Sequence, residues 1–229
     1  MAPYPFPIDK HAGRSVGGSI APPARMAVPI LRAYARIDAH IRPMPSPFPP
    51  SDGPEPHATR VRVARPADAP AIAAIYNEGI RGRRATFETR ERTSADIEGW
   101  FAPPVGPVVY PPHPFLVAEQ HGVVSGWVHA SIYRSRAAYR RIAEYSIYVA
   151  DGSHGCGVGH ALMTAFLPAC EATGITKLVA RIFPENHASL ALCARHGFRV
   201  VGLYEKHGTL DGVWRDVVIV ERLFEANLD

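Results

Sequence analysis

The stretch that most limits what this chain can fold into runs Glu144-Tyr-Ser-Ile-Tyr-Val149, then Ser153-His-Gly-Cys-Gly-Val-Gly-His160, then Ala161-Leu-Met-Thr-Ala-Phe166. A β-rich run enters a turn with three alternating glycines and leaves it as an apolar helix. Glycine lets backbone N–H groups converge on a ligand with no Cβ between them. A helix start directly behind adds orphan N–H donors and a partial positive charge. Such a turn is either a plain strand-to-helix connection or a cradle for an anion, a pyrophosphate above all. Two standard phosphate motifs do not fit. No Gly-Lys-Ser/Thr follows, so it is not a Walker loop. The acidic residue nearest the Rossmann spacing, Glu171, falls within the helix rather than at the end of the next strand.

The residues downstream decide between the two. Phe183-Pro-Glu-Asn-His-Ala-Ser-Leu-Ala-Leu-Cys-Ala-Arg-His-Gly-Phe198 carries Asn186, Ser189 and Gly197-Phe198 at fixed offsets. With the glycine turn, this resembles the GNAT N-acetyltransferase superfamily, whose acetyl-CoA loop reads Gln/Arg-x-x-Gly-x-Gly/Ala. His154 stands here at the first position. Thr86-Phe-Glu88, Arg136-Ala-Ala-Tyr139, Glu144-Tyr-Ser-Ile-Tyr-Val149 and Gly212-Val-Trp-Arg-Asp-Val217 narrow the resemblance to the phosphinothricin and arsinothricin acetyltransferase subgroup. It spans about residues 60–224.

The order of elements agrees with that fold. Val61–Ala64 reads as a first strand, Arg65-Pro-Ala-Asp68 as a turn and N-cap, and 69–79 as an amphipathic helix. A second short helix covers 93–101, and a proline-rich loop covers 103–114. Phe115–Glu119 and Val123–Ile132 form a hairpin across Gln120-His121-Gly122. Strand 140–149, helix 161–173 with Gly174 as its cap, strand 177–182 and helix 188–196 follow. Val200–Glu205 and Val213–Arg222 close the fold as two strands. The expected class is α/β, the GNAT acyl-CoA N-acyltransferase fold, with a mixed, mostly antiparallel sheet flanked by helices.

Residues 1–58 hold 13 of the chain's 23 prolines and almost no periodicity, so this extension is expected to be disordered, with the acetyltransferase domain at 59–225. A net charge of +4 from scattered basic residues argues against a nucleic-acid partner. No apolar run reaches the ~18 residues that span a bilayer, so no membrane is expected. Cys156, Cys170 and Cys193 are odd in number and lack metal or redox spacing, which fits a cytoplasmic protein with no metal.

The resemblance implies acetyl transfer from acetyl-CoA to a primary amine. The acceptor would be the α-amine of a small amino-acid analogue: phosphinothricin, methionine sulfone or sulfoximine, or arsinothricin. The alternatives are a peptide or protein N-terminal acetyltransferase and a non-catalytic acyl-CoA-binding module. Glu144 matches the subgroup's acidic base, its other reading being a strand glutamate that faces solvent or pairs with Arg140 or Arg141. Cys193 stands seven residues after Asn186, where the superfamily mostly has Tyr and this subgroup often has His. It is either an acid for the leaving thiolate or a small buried hydrophobe.

Ile147, Tyr148 and Val149 would offer backbone groups to the pantetheine arm. Gly155, Cys156, Gly157, Val158, Gly159 and His160 would bind the pyrophosphate. Asn186 would either hydrogen-bond the cofactor arm or simply cap its helix. Arg136 and Tyr139 would approach the acceptor's acidic group, Arg136 through its bidentate fork, or else belong to a solvated charge run. Phe87 would form an apolar wall or pack in the core. By the same resemblance the protein is expected to be a homodimer.

Overall fold

The computed structural model of the chain describes residues 59–228. The proline-rich segment 1–58, and the expectation placed on it, lie outside the described residues. The elements in order are β1 (Arg60–Val63), α1 (Ala69–Gly82), α2 (Ser94–Glu98), β2 (Phe115–Gln120), β3 (Val123–Ile132), β4 (Ile142–Val149), α3 (Val158–Ala172), β5 (Lys177–Ile182), α4 (His187–Arg195), β6 (Arg199–Leu210) and β7 (Val213–Leu223). They form one seven-stranded sheet in the order β1-β2-β3-β4-β5-β7-β6. Every neighbouring pair is antiparallel except β4–β5. A parallel pair needs a long crossover, and α3 supplies it.

The strand alternation sends successive side chains to opposite layers. Val128, Ala130, Ala143 and Tyr145 face α3 and α4, where they meet Leu162, Phe166, Leu190 and Cys193. Trp127, next to Val128, faces the other way, into a cluster with Ile72, Ile75, Ile80 and Ile97 of α1 and α2. A third cluster gathers Val179, Phe183, Leu210, Val217 and Ile219, with Phe87 packed against it.

Turn chemistry explains both hairpins. His121-Gly122 and Asp211-Gly212 each place two consecutive residues at positive φ, 52° and 77° in the first and 49° and 78° in the second. Two such residues make the tight connection that suits twisted strands. The sequence reading ends β6 at Glu205, but the strand continues to Leu210. It tolerates a register shift between Tyr204 and Gly208 because Asp216 accepts a 2.7 Å hydrogen bond from the Lys206 N–H, where φ is 48°. Asp68 stands at the N-cap position of α1, as expected. Its carboxylate makes no side-chain cap to α1. It accepts instead from the Arg65 N–H at 2.7 Å and from both Nη atoms of Arg62 at 2.7 Å. The turn before α1 is thereby pinned to β1.

One departure from regularity positions the site. β4 pairs with β5 over only three residues, Ile142–Glu144 against Lys177–Val179. On its other side β4 stays paired with β3 through Val149. From Tyr145 onward β4 and β5 therefore part, and a wedge opens between them. The β5-facing backbone groups of β4 are left without a strand partner along Tyr145–Val149, and buried backbone groups require partners.

Candidate active site

At the far end of β4 the chain turns through Asp151–Ser153 into the glycine segment. Gly155 and Gly157 have φ of 77° and 79°, a region that side chains with a Cβ rarely adopt. Gly157 is the N-cap of α3 and provides no side-chain cap. The Ala161 N–H closes the first turn onto Gly157 O at 2.9 Å, so the N–H groups of Val158, Gly159 and His160 precede the helical ladder. A Cβ built on Gly155 or Gly157 would meet nothing within 4 Å. The segment thus offers exposed N–H donors at a helix N-terminus with open space before them, and it fits a pyrophosphate. Gly159 differs: a Cβ there would lie 3.3 Å from Leu192, so this glycine also lets α3 approach α4. The His154 ring nitrogen lies 3.0 Å from Val149 O and ties the turn back to its strand.

The wedge holds a narrow cleft of about 60 Å³, bordered by Tyr145–Tyr148 of β4, Ala180–Ile182 of β5, and Asn186, Ser189 and Cys193 of α4. Asn186 caps α4, its Oδ1 accepting from the Ser189 N–H at 3.1 Å. That uses only the oxygen and leaves the amide N–H groups as donors beside the cleft. Of its two expected roles, the cap is the one observed. The Tyr148 side chain points away, into the α1 layer, stacking on Trp127 at 4.9 Å and donating from its hydroxyl to Ala85 O at 3.3 Å. Only its backbone is left for a ligand in the cleft. Cys193 is 3 % exposed and lies 3.0 Å from the hydroxyl of Tyr145, which packs against Phe166 and Phe198. Burial pushes the Cys193 thiol up to about 11, against the opposing hydrogen bond from Tyr145. Burial likewise raises Tyr145 well above the ordinary tyrosine value. Both groups are neutral at physiological pH.

Glu144 leaves β4 on the opposite face from Tyr145. It borders a second hollow of about 320 Å³ with Phe87, Glu88, Arg181, Phe183 and His207. Its partner is neither Arg140 nor Arg141 but Arg181 of β5. Arg181 Nε donates to Oε1 at 2.8 Å while Nη2 holds Oε2. This bidentate fork fixes the carboxylate, and the ion pair raises Arg181 in turn. Phe87 meets Phe183 edge-on at 4.8 Å and walls the same hollow. The two hollows share Ala85, Tyr145, Ser146, Tyr148 and Arg181, so they meet through the wedge.

The structure does not bring every expected residue here. Arg136 precedes and Tyr139 ends a short turn of 3-10 helix, and both line a separate concavity with Tyr133, Arg134 and Ser135. Neither borders the Glu144 hollow. Arg181 and Tyr145 were missed in the sequence. Arg181 lies in a β5 run without a motif. Tyr145 reads as one more strand residue, and only the parting of the strands reveals its position. Among the described residues no cluster of three His, Cys, Asp or Glu side chains could hold a metal. No helix among them is long and apolar enough to cross a membrane.

Residues 72–198 match the acetyltransferase (GNAT) family, and the chain belongs to that family as an N-acetyltransferase. It is 36 % identical over 170 residues to a phosphinothricin N-acetyltransferase of Alcaligenes faecalis, covering 74 % of this chain and 84 % of that one. It is 31 % identical over 170 residues to an L-methionine sulfoximine/L-methionine sulfone acetyltransferase of Pseudomonas aeruginosa, covering 74 % and 94 %. Among solved structures, a phosphinothricin acetyltransferase of Sinorhizobium meliloti in complex with acetyl-CoA superposes with a TM-score of 0.64 at 30 % identity, covering 72 % of this chain and 88 % of that one.

Proposed function

We propose that the protein transfers an acetyl group from acetyl-CoA to the α-amine of a small amino-acid analogue of the phosphinothricin, methionine sulfone or sulfoximine, or arsinothricin type. The observation that carries this reading is the parting of β4 from β5, with the glycine cradle at one end and Glu144 on the opposite lip. Acetyl-CoA, when bound, supplies the acetyl group as an activated thioester. Gly155 and Gly157 allow the turn to present its N–H groups to the pyrophosphate, together with those of Val158, Gly159 and His160. The β4 edge from Ile147 to Val149 offers its backbone to the pantetheine amides, as an added strand would. Asn186 donates to the same arm.

On the other face, Glu144 accepts the proton that the attacking amine loses as its bond to the acetyl carbon forms, directly or through a water. A carboxylate has about four lone-pair sites, and the Arg181 fork occupies two, so the base can work without losing its clamp. The Glu144 hollow suits an amino acid in size, and Phe87 supplies its apolar wall. The names carried by the relatives point to the same acceptor class. Arg136 and Tyr139, set apart from this hollow, are not required by the reading. A homodimer in the cytoplasm belongs to the same proposal.

The test is incubation with acetyl-CoA, a thiol reagent and a panel of amino-acid analogues and short peptides. Turnover with the analogues and not with the peptides is expected. Turnover confined to peptides would replace this reading with N-terminal acetylation. CoA binding with no turnover on any amine would leave a non-catalytic module.

A further inference from the structure

We propose that Tyr145, and not Cys193, protonates the departing CoA sulfur, and that Cys193 serves to hold the Tyr145 hydroxyl. The inference rests on the acetyl-transfer reading above and names a group that reading leaves open. Three observations carry it.

The first is position. Tyr145 and Glu144 are consecutive on β4, and consecutive strand residues face opposite ways. Glu144 borders only the hollow assigned to the amine, while Tyr145 lines that hollow and the cleft alike and turns its hydroxyl toward Cys193 of α4. The strand therefore presents a base to one side of the reacting carbon and a hydroxyl to the other.

The second is hydrogen-bond inventory. A phenol has one proton and two lone pairs, while a thiol is a weak donor. Among the described residues the hydrogen-bond partner of the Tyr145 hydroxyl is Cys193 Sγ at 3.0 Å, and either atom can donate. When the thiol donates, the phenol proton is left without an acceptor inside the protein. Both residues line the cleft, which is where a bound thioester sulfur could accept it. The phenol is also the stronger hydrogen-bond donor of the pair.

The third is packing. The Tyr145 ring is fixed between Phe166, at 5.9 Å, and Phe198, at 5.3 Å. A group so held delivers its hydroxyl to one place, which is what positioned proton transfer requires. Burial keeps both groups protonated at working pH.

The step balances as follows. The amine nitrogen forms its bond to the acetyl carbon and gives its proton to Glu144. The carbon–sulfur bond breaks with its electron pair on sulfur. The Tyr145 proton passes to that sulfur, giving the CoA thiol. The phenolate left behind accepts a hydrogen bond from the Cys193 thiol until solvent returns a proton as the product leaves.

The experiment compares Tyr145→Phe, Cys193→Ala and Cys193→Ser with the wild type in three readouts: melting temperature, calorimetric affinity for CoA against desulfo-CoA, and the pH profile of kcat. Tyr145→Phe removes one oxygen from a packed ring and is expected to stay folded. Its kcat should fall by about tenfold or more. Its preference for CoA over desulfo-CoA should shrink severalfold, because the hydroxyl contact to sulfur is gone. Cys193→Ser keeps a donor to Tyr145 and should retain most of the rate, whereas Cys193→Ala should lose part of it. The proposal is overturned if Tyr145→Phe keeps both its rate and its CoA preference. It is equally overturned if Cys193→Ala, stably folded, loses more than Tyr145→Phe. The binding comparison needs no acceptor. A wild type inactive on the amino-acid panel that still distinguishes CoA from desulfo-CoA through Tyr145 would therefore strike the acceptor reading while leaving the Tyr145 contact to sulfur standing; loss of that distinction in the wild type would strike this inference.

Discussion

The two sides of β4 solve opposite problems. On the α4 side the cleft is narrow, and Tyr145 and Cys193, which meet there, are buried and neutral. On the other side the hollow is wider and carries charge, with Glu144 in the fork of Arg181 and His207 nearby. A thioester arm wants a dry slot lined by backbone and weak donors. An ammonium acceptor wants a fixed carboxylate it can reach. The alternation of one strand separates the two environments, and the parting of β4 from β5 lets them meet.

The largest effect that would break this division comes from the cradle. Gly157 sits at φ 79°, where a β-branched residue is strained. Gly157→Val should remodel the turn and weaken CoA binding by roughly 10²-fold, equivalent to about 3 kcal/mol, within the range that such strain and lost N–H contacts supply. Calorimetric titration with CoA checks it, and circular dichroism should still report a folded protein. Unchanged affinity would remove the cradle from the account.

A smaller change should touch the acceptor side alone. A Cβ on Gly208 would lie 2.9 Å from the Phe87 ring. That ring is held against Phe183, so it has to move into the Glu144 hollow or away from it. Gly208→Ala should raise the acceptor KM severalfold while leaving the CoA affinity as it was. An equal loss in both would mean that the two hollows are not independent.

The smallest effect serves as a control that belongs to neither side. His129 stacks between Trp100 and Phe115 at 5.8 Å and 4.3 Å, and burial holds its imidazole down at about 4, with His113 adding to the shift. Between pH 6.5 and 4 the unfolded chain binds a proton that the folded chain refuses, so stability falls as pH falls through that window. The loss should be about 3 kcal/mol in stability, and His129→Phe should flatten it. Denaturation midpoints across that range measure it, and CoA affinity should be unaffected by the substitution.

Much of this was legible in the residues, and the reasons differ by region. The glycine turn was readable because positive φ and an open helix start demand glycine whatever the surroundings. The hairpins were readable because His121-Gly122 and Asp211-Gly212 name their own turn. Glu144 was found by motif, but its true partner was not. Arg181 follows it by 37 positions, and only the parallel β4–β5 pairing brings them together. Tyr145 was invisible for the same reason, since its hydroxyl gains meaning only where α4 packs on the sheet. Arg136 and Tyr139 show the converse. Their motif marks them, yet the fold sets them beside Tyr133 and Arg134, outside the Glu144 hollow.

The measurement that bears most directly on the central claim is the acetyl-transfer rate of Glu144→Gln with acetyl-CoA and an amino-acid acceptor such as methionine sulfone. Glutamine keeps the size of the side chain and removes the base. The account predicts a kcat lower by roughly 10²-fold or more from pH 6 to 9, with CoA affinity unchanged. A variant that turns over at close to the wild-type rate across that range would contradict it.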